Sequence, residues 1–280
     1  MKHLIQLTKP RVTAMTLLMA AVGLWRAGAR DWTLFAWTLL GVFLSVGCAN
    51  GLNMSIERRT DGMMTRTANR PLPTGALTVN QAVAFSLFCG LLSMVVLVLK
   101  ANVLTALLGL SAIVVYAGVY TPLKLRSTLA LPIGALPGAM PPLMGYTAVT
   151  NEFTAEGLAL FGILALWQIP HFLAISVANL EDYTRAGIQT VPGKRGERMT
   201  RLHTIAYTTA LIPTSLIMVH LGVAGWVYGG IALVSGVGLL YLAAKPPGET
   251  GLKAWAIDYF KGTLVYLPAI TLALVLDVGG

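Results

Sequence analysis

Charge is scarce in this sequence. Just 11% of its 280 residues are Asp, Glu, Lys or Arg, and the 11 acids are outnumbered by 20 Lys and Arg. With 56% hydrophobic residues and a mean hydropathy of +0.72, a water-soluble fold is excluded, because soluble chains carry roughly a quarter of their residues as charges. Cysteine is nearly absent. Cys48 and Cys89 both lie inside apolar runs, offer neither a disulfide framework nor a metal-ligand spacing, and read as small core residues. Alternation of apolar and polar residues over about ten positions is also missing, which excludes a transmembrane β-barrel. What remains is an all-α, polytopic membrane bundle.

Charge-free stretches run from Trp32 to Ile56, Pro71 to Leu99, Ala101 to Leu123, Ser127 to Asn151 and Gly157 to Leu180. Each is long enough for a spanning helix of about 20 residues. Leu202 to Ala244 holds two more spans turning near Gly222 to Gly225, and the shorter runs Val12 to Trp25 and Gly262 to Leu276 reach across if Arg26 and Lys261 snorkel. The expectation is a single integral-membrane domain over residues 1–280 with about nine transmembrane helices. A cleaved signal peptide at the amino end ranks second, because Arg26 abuts the would-be cleavage site and the next span follows at once.

In a nine-helix topology nearly all the basic residues fall on the amino-terminal side, with just Arg26, Arg30 and Lys100 opposite. Cytoplasmic loops are enriched in Lys and Arg, so the chain is expected in the cell (inner) membrane, amino terminus cytoplasmic and carboxyl terminus outside. The net charge of +9 is thus a matter of topology and gives no argument for nucleic acid as a partner.

Against that background residues 53–72, NMSIERRTDGMMTRTANRPL, are dense in charge. Asn53, Glu57 and Asp61 are four apart, a spacing that lines them along one helix face. Hard oxygens at a helix end suit Mg²⁺, which takes one or two carboxylates plus water and phosphate oxygens. Taken alone, they are as well explained as polar residues ending a helix at the interface. A second loop tips the balance: LEDYTRAGIQTVPGKRG again places acids, Glu181 and Asp182, at the end of a span, with Asn179 three residues before Asp182. Two acid clusters on one side of the membrane can hold metal ions around one polyanion, with Arg66, Arg70, Lys124, Lys194 and Arg195 as a cationic clamp. Both loops follow even-numbered helices, the second and the sixth, the pattern of an internal duplication with a four-helix offset, though it is weak at residue level.

These segments resemble the UbiA-type intramembrane prenyltransferases, and within them the protohaem IX farnesyltransferase branch. The likeness runs through LTKPRV at 7–12, Asn53, Glu57 and Asp61 with the following MTRTANRPLP, YTPLK at 120–124, GAMPPLMGYTAVT at 138–150, WQIPHF at 167–172 and EDYTRAGIQTVP at 181–192. It departs in two places. Glu57 and Arg59 stand where the family usually has Asp, and WQIPHFLAI replaces the more usual WTPPHFWAL.

The resemblance implies transfer of a farnesyl group from farnesyl diphosphate to a vinyl group of haem B inside a helical bundle, with Mg²⁺ as cofactor. It implies Asn53, Glu57, Asp61 and Asp182 as metal ligands and catalytic residues, and Arg66, Arg70, Tyr120, Lys124, Lys194 and Arg195 as diphosphate contacts. His171 and Asn179 fall on the acceptor side; for His171 the competing reading is a core histidine satisfied by a neighbouring helix. The lipid bilayer is a partner, and so, by the same resemblance, are haem A synthase or terminal oxidase assemblies. Three alternatives stand beside this reading: a prenyltransferase for a quinone-type aromatic ring or another tetrapyrrole, a weak paralogue, as the charge at Arg59 suggests, and a transporter. Against the transporter, the acids sit at helix ends, whereas coupled-ion sites lie in mid-membrane.

Overall fold

The computed structural model of the chain describes residues 2–249 and 251–277, so the last residues of the expected outer carboxyl terminus lie outside the described residues. In chain order the helices are α1 (Lys2–Leu7), α2 (Pro10–Arg26), α3 (Trp32–Ile56), α4 (Arg58–Met63), α5 (Val79–Lys100), α6 (Val103–Ile113), a π-helical stretch Val114–Tyr120, and α7 (Thr121–Leu123). Then follow α8 (Ala130–Thr150), α9 (Ala155–Ala178), α10 (Leu180–Arg185), α11 (Val191–His220), α12 (Trp226–Ala244) and α13 (Gly251–Leu276). Counting Val103–Leu123 as one rod, the described residues form nine long helices, and seven of them are long and apolar enough to cross a membrane unaided. The other two are α2, with 17 residues, and the proline-bearing α8.

The helix ends explain why the boundaries fall where they do. Exposed N–H groups at a helix start need an acceptor, most of all near lipid. Asp31 caps α3 through Thr33 N at 2.7 Å, Thr78 and Gln81 form a reciprocal capping box on α5, and Asn102 caps α6 through Thr105 N at 2.8 Å. The apolar run from Pro71 enters its helix only at Val79, because Pro71, Pro73 and a left-handed Gly75 (φ 74°) fold the first eight residues into turns. At the other hairpin α11 stops at His220 and α12 starts at Trp226, with Gly222 at φ 69° turning the chain.

Within the bundle α3 packs on α5, α2 on α8, and α9 on α8, α11 and α13, while α13 also touches α2. Small residues set the closest crossing. A Cβ on Gly23 would lie 2.0 Å from the Pro142 carbonyl oxygen, and one on Gly145 would lie 2.1 Å from that of Ala20, so α2 and α8 meet backbone to backbone. Large apolar side chains such as Phe88, Leu99, Val234 and Leu276 face outward, as a lipid-facing surface requires. Both cysteines are free and buried, at the contact of α3 with α5. The two polar loops each contain a short helix after a long one, α4 after α3 and α10 after α9.

Candidate active site

The first loop keeps helical spacing across a broken helix. Glu57 has φ −82° and ψ 3°, which ends α3, yet its amide still bonds to the Asn53 carbonyl at 2.9 Å and the Asp61 amide bonds to the Glu57 carbonyl at 2.8 Å. The four-residue register therefore survives the break. Each of the three side chains meets a cation. Asn53 Oδ1 accepts from Lys9 Nζ at 2.9 Å, Glu57 Oε1 from Lys124 Nζ at 2.6 Å, and Asp61 Oδ2 from Arg70 Nη1 at 2.7 Å.

Several local devices hold these partners. Asn53 Nδ2 donates to Thr121 Oγ1 at 2.9 Å, and that hydroxyl donates to the Tyr116 carbonyl at 2.7 Å, a bond that the widened π-helical turn makes available. The same turn brings Tyr120 beneath Lys124, whose Nζ sits 4.5 Å from the ring centroid. Burial alone pushes the Lys124 amine down, but Tyr120 and the Glu57 carboxylate outweigh it and hold it above the usual lysine range. Residues 64–70 fold back in tight turns, with the Thr67 hydroxyl donating to the Asp61 carbonyl at 2.8 Å, and so return Arg70 to Asp61.

The second loop reaches the first. Thr65 Oγ1 donates to Asp182 Oδ1 at 3.2 Å, Arg66 Nη2 approaches the Tyr183 hydroxyl at 3.5 Å, and the Gln189 amide bonds to the Lys124 carbonyl at 2.7 Å. Asp182 is also paired with Arg185. Desolvation pushes the Asp182 carboxyl up, but hydrogen bonds from the Thr65 backbone and side chain, together with Arg185, leave it below the usual carboxylate range.

Not every residue singled out in the sequence joins this cluster. Lys194 and Arg195 ride the first turns of α11, exposed, and among the described residues no hydrogen bond ties them to the other site residues. Asn179 closes α9, its Nδ2 donating to the Ile175 carbonyl of the same helix at 2.8 Å. His171 is buried within α9. Its Nδ1 lies 2.7 Å from Thr263 Oγ1 on α13, and its ring stacks on Trp167 at 4.4 Å and Phe260 at 4.9 Å. A neighbouring helix does satisfy it, through a hydroxyl. Arg59, the site of the inverted charge, is exposed on α4.

Conversely, Lys9, Thr65, Thr121 and Tyr183 contact the cluster without having been singled out. Lys9 lies in the LTKPRV segment and counted there as one more topology-setting charge. Its backbone is left-handed (φ 50°, ψ 66°), its Nζ lies 6.0 Å from the Tyr116 ring centroid, and burial, then Arg70 and Lys124, lower its amine to about 7.

Whether these residues fit a cation is answered by Asp61. Its Oδ1 is buried without a hydrogen-bond partner, a carboxylate oxygen left bare in a low-dielectric place. Among the described residues no three His, Cys, Asp or Glu side chains stand close enough to hold an ion alone. Substrate oxygens must complete the shell, as Mg²⁺ commonly requires. The residues fit on those terms.

The profile of the UbiA prenyltransferase family matches residues 14–261. The chain is 44% identical over 276 residues to a protoheme IX farnesyltransferase of Anaeromyxobacter sp. (strain Fw109-5), covering 98% of this chain and 93% of that one. It is 43% identical over 275 residues to the protein of the same name from Myxococcus xanthus (strain DK1622), covering 98% and 94%. Its fold is similar to that of a UbiA homolog from Archaeoglobus fulgidus bound to DMAPP and Mg²⁺, with a TM-score of 0.74 at 14% identity, covering 98% of this chain and 99% of that one.

Proposed function

The chain belongs to the UbiA prenyltransferase family, and on that premise we propose that it moves the farnesyl group of farnesyl diphosphate onto a vinyl group of haem B, giving haem O and diphosphate. The observation that carries the site assignment is the junction of the two acid-bearing loops, where Thr65 meets Asp182 beside the Asn53, Glu57 and Asp61 row. In this reading Asn53, Glu57, Asp61 and Asp182 would hold Mg²⁺, which when bound would supply Lewis-acid neutralisation of the leaving group.

The chain's own residues do the rest. Arg66, Arg70 and Lys124 bind the diphosphate oxygens that gain charge as the C1–O bond breaks and its electron pair departs with the diphosphate. Tyr120 orients Lys124 from below. Lys194 and Arg195, exposed on the first turns of α11, contribute by long-range attraction of the polyanion and not by contact. The allylic carbon left electron-poor then bonds to the terminal carbon of the haem vinyl, water adds its oxygen to the inner vinyl carbon, and a proton is released. Apolar helix walls keep water from trapping the farnesyl group before that step.

On the acceptor side His171, buried and bonded to Thr263, positions the half-buried Trp167 and Phe260 rings stacked with it, and those rings form the aromatic wall for the tetrapyrrole. Asn179, at the end of α9, is assigned to the same acceptor side. The end of the bundle that carries both loops faces the cytoplasm, in accord with the positive-inside rule. A farnesylated haem is too apolar to leave through water, so transfer to a haem A synthase or a terminal oxidase assembly belongs to the same proposal.

The test is haem extraction from a host lacking its own haem O synthase, with and without this chain. The expected result is a new haem heavier than haem B by one farnesyl group and one hydroxyl group. Absence of that species, together with prenylation of an aromatic acid by the purified protein, overturns the choice of acceptor.

A further inference from the structure

Three oxygen-bearing side chains in register, Asn53, Glu57 and Asp61, each meet a different cation: Lys9, Lys124 and Arg70. Lys124 and Arg70 already have a place in the diphosphate reading; Lys9 does not. Three observations set it apart from the other basic residues near the chain start. Its amine reaches 44 residues ahead to Asn53 at 2.9 Å, and it lies against the Tyr116 ring. Its backbone is left-handed at φ 50°, one of two non-glycine residues so placed among those described. It also precedes Pro10, and the ring of a following proline disfavours helical backbone angles. A residue held in so sparsely populated a conformation costs about 1–3 kcal/mol and persists where its surroundings demand it. Glycine fits the backbone better, yet the position is lysine, whose amine is what the cluster uses.

We propose that Lys9 is a further diphosphate-binding residue: its amine, held on Asn53 Oδ1, moves to a diphosphate oxygen when substrate binds and leaves the Asn53 oxygen free. The inference rests on the diphosphate-transfer reading and deepens it. Because the break between α1 and α2 holds only Thr8 and Lys9, the amino-terminal helix is tied to the state of the site.

The experiment uses Lys9→Gly, Lys9→Met and Lys9→Arg in the purified full chain. Thermal unfolding is followed without ligand and with Mg²⁺ plus inorganic diphosphate, and KM is measured separately for farnesyl diphosphate and haem B. Lys9→Gly is expected to unfold at the wild-type temperature or above, since the strain is relieved, yet to lose most of the diphosphate-induced shift. Its KM for farnesyl diphosphate is expected to rise tenfold or more while that for haem B stays put, a loss in the range of one charge-assisted hydrogen bond. Lys9→Met is expected to show the same split with the side-chain length kept, and Lys9→Arg to recover part of the shift. If Lys9→Gly and Lys9→Met keep the wild-type shift and KM, Lys9 has no such role. A wild-type protein that does not respond to diphosphate at all would overturn the underlying reading with it.

Discussion

Two of the polar regions inside this bundle are built on opposite plans. Between α11, α12 and α13 the Tyr259 hydroxyl meets Thr208 Oγ1 at 2.6 Å, the Tyr266 hydroxyl meets Ser215 Oγ at 2.7 Å, and the Tyr228 hydroxyl donates to the Ser215 carbonyl at 3.1 Å. The two pairs repeat at seven residues on both helices, so one ridge of hydroxyls faces another. All these groups are neutral, buried and matched. Around Asn53, Glu57 and Asp61 the groups are charged or paired with a charge, partly reachable, and Asp61 Oδ1 is bare. The ladder joins helices, and changing its partners could only weaken it. The charged end is made of pairs whose cations are equally suited to a diphosphate, and in the proposed function they exchange onto it. Buried ion pairs are a poor source of stability in any case, because desolvation offsets their attraction.

The widest gap between the two regions is expected from Asp61→Asn. If Asp61 serves the leaving group as proposed, its loss should lower kcat/KM for haem O formation by about 100-fold or more, far beyond what the lower unfolding temperature from an unpartnered Arg70 accounts for. Lys124→Met comes next: about a 100-fold loss, mostly in kcat if the amine acts on charge that develops as the C1–O bond breaks. The ladder should behave the other way round. Tyr266→Phe removes one buried hydroxyl and leaves Ser215 still bonded to the Leu211 carbonyl, so a loss of about 1 kcal/mol in stability is expected, with kcat/KM intact. Thermal unfolding in detergent beside the haem O assay separates the two classes. The smallest effect is expected from Arg59→Asp. Its side chain is exposed outside the cluster, so the rate should change by less than about threefold, and a larger gain would mean that the inverted charge reaches the chamber.

Much of this could be read from residue order, and the parts that could not have a common cause. The span Trp32–Ile56 coincides with α3 because nothing inside it competes with helix and Asp31 caps its start. Asn53, Glu57 and Asp61 were legible through their four-residue spacing, which the backbone keeps even where α3 breaks at Glu57. The apolar run from Pro71 to Val79 looked like span and became turn, since hydrophobicity does not reveal that Pro71, Pro73 and Gly75 act together. Lys9 escaped notice for a different reason. A basic residue near a chain start is a topology signal by default, and its left-handed backbone and its contact across 44 residues distinguish it from Lys2 or Arg11. Lys194 and Arg195 show the converse. They follow the second acid cluster closely in sequence, but α11 begins at Val191 and carries them outward.

The account stands or falls on the two loops acting on one ligand, and a double-mutant cycle tests that directly. Mg²⁺-dependent binding of inorganic diphosphate is measured by calorimetry in the wild type, Asp61→Asn, Asp182→Asn and the double variant. If both carboxylates serve the same bound diphosphate, either single change should remove nearly all the affinity that the pair removes together, a coupling well beyond that of distant sites. Losses that simply add, or an Asp182→Asn protein that binds as the wild type does, would mean that the second loop touches the first without sharing its ligand.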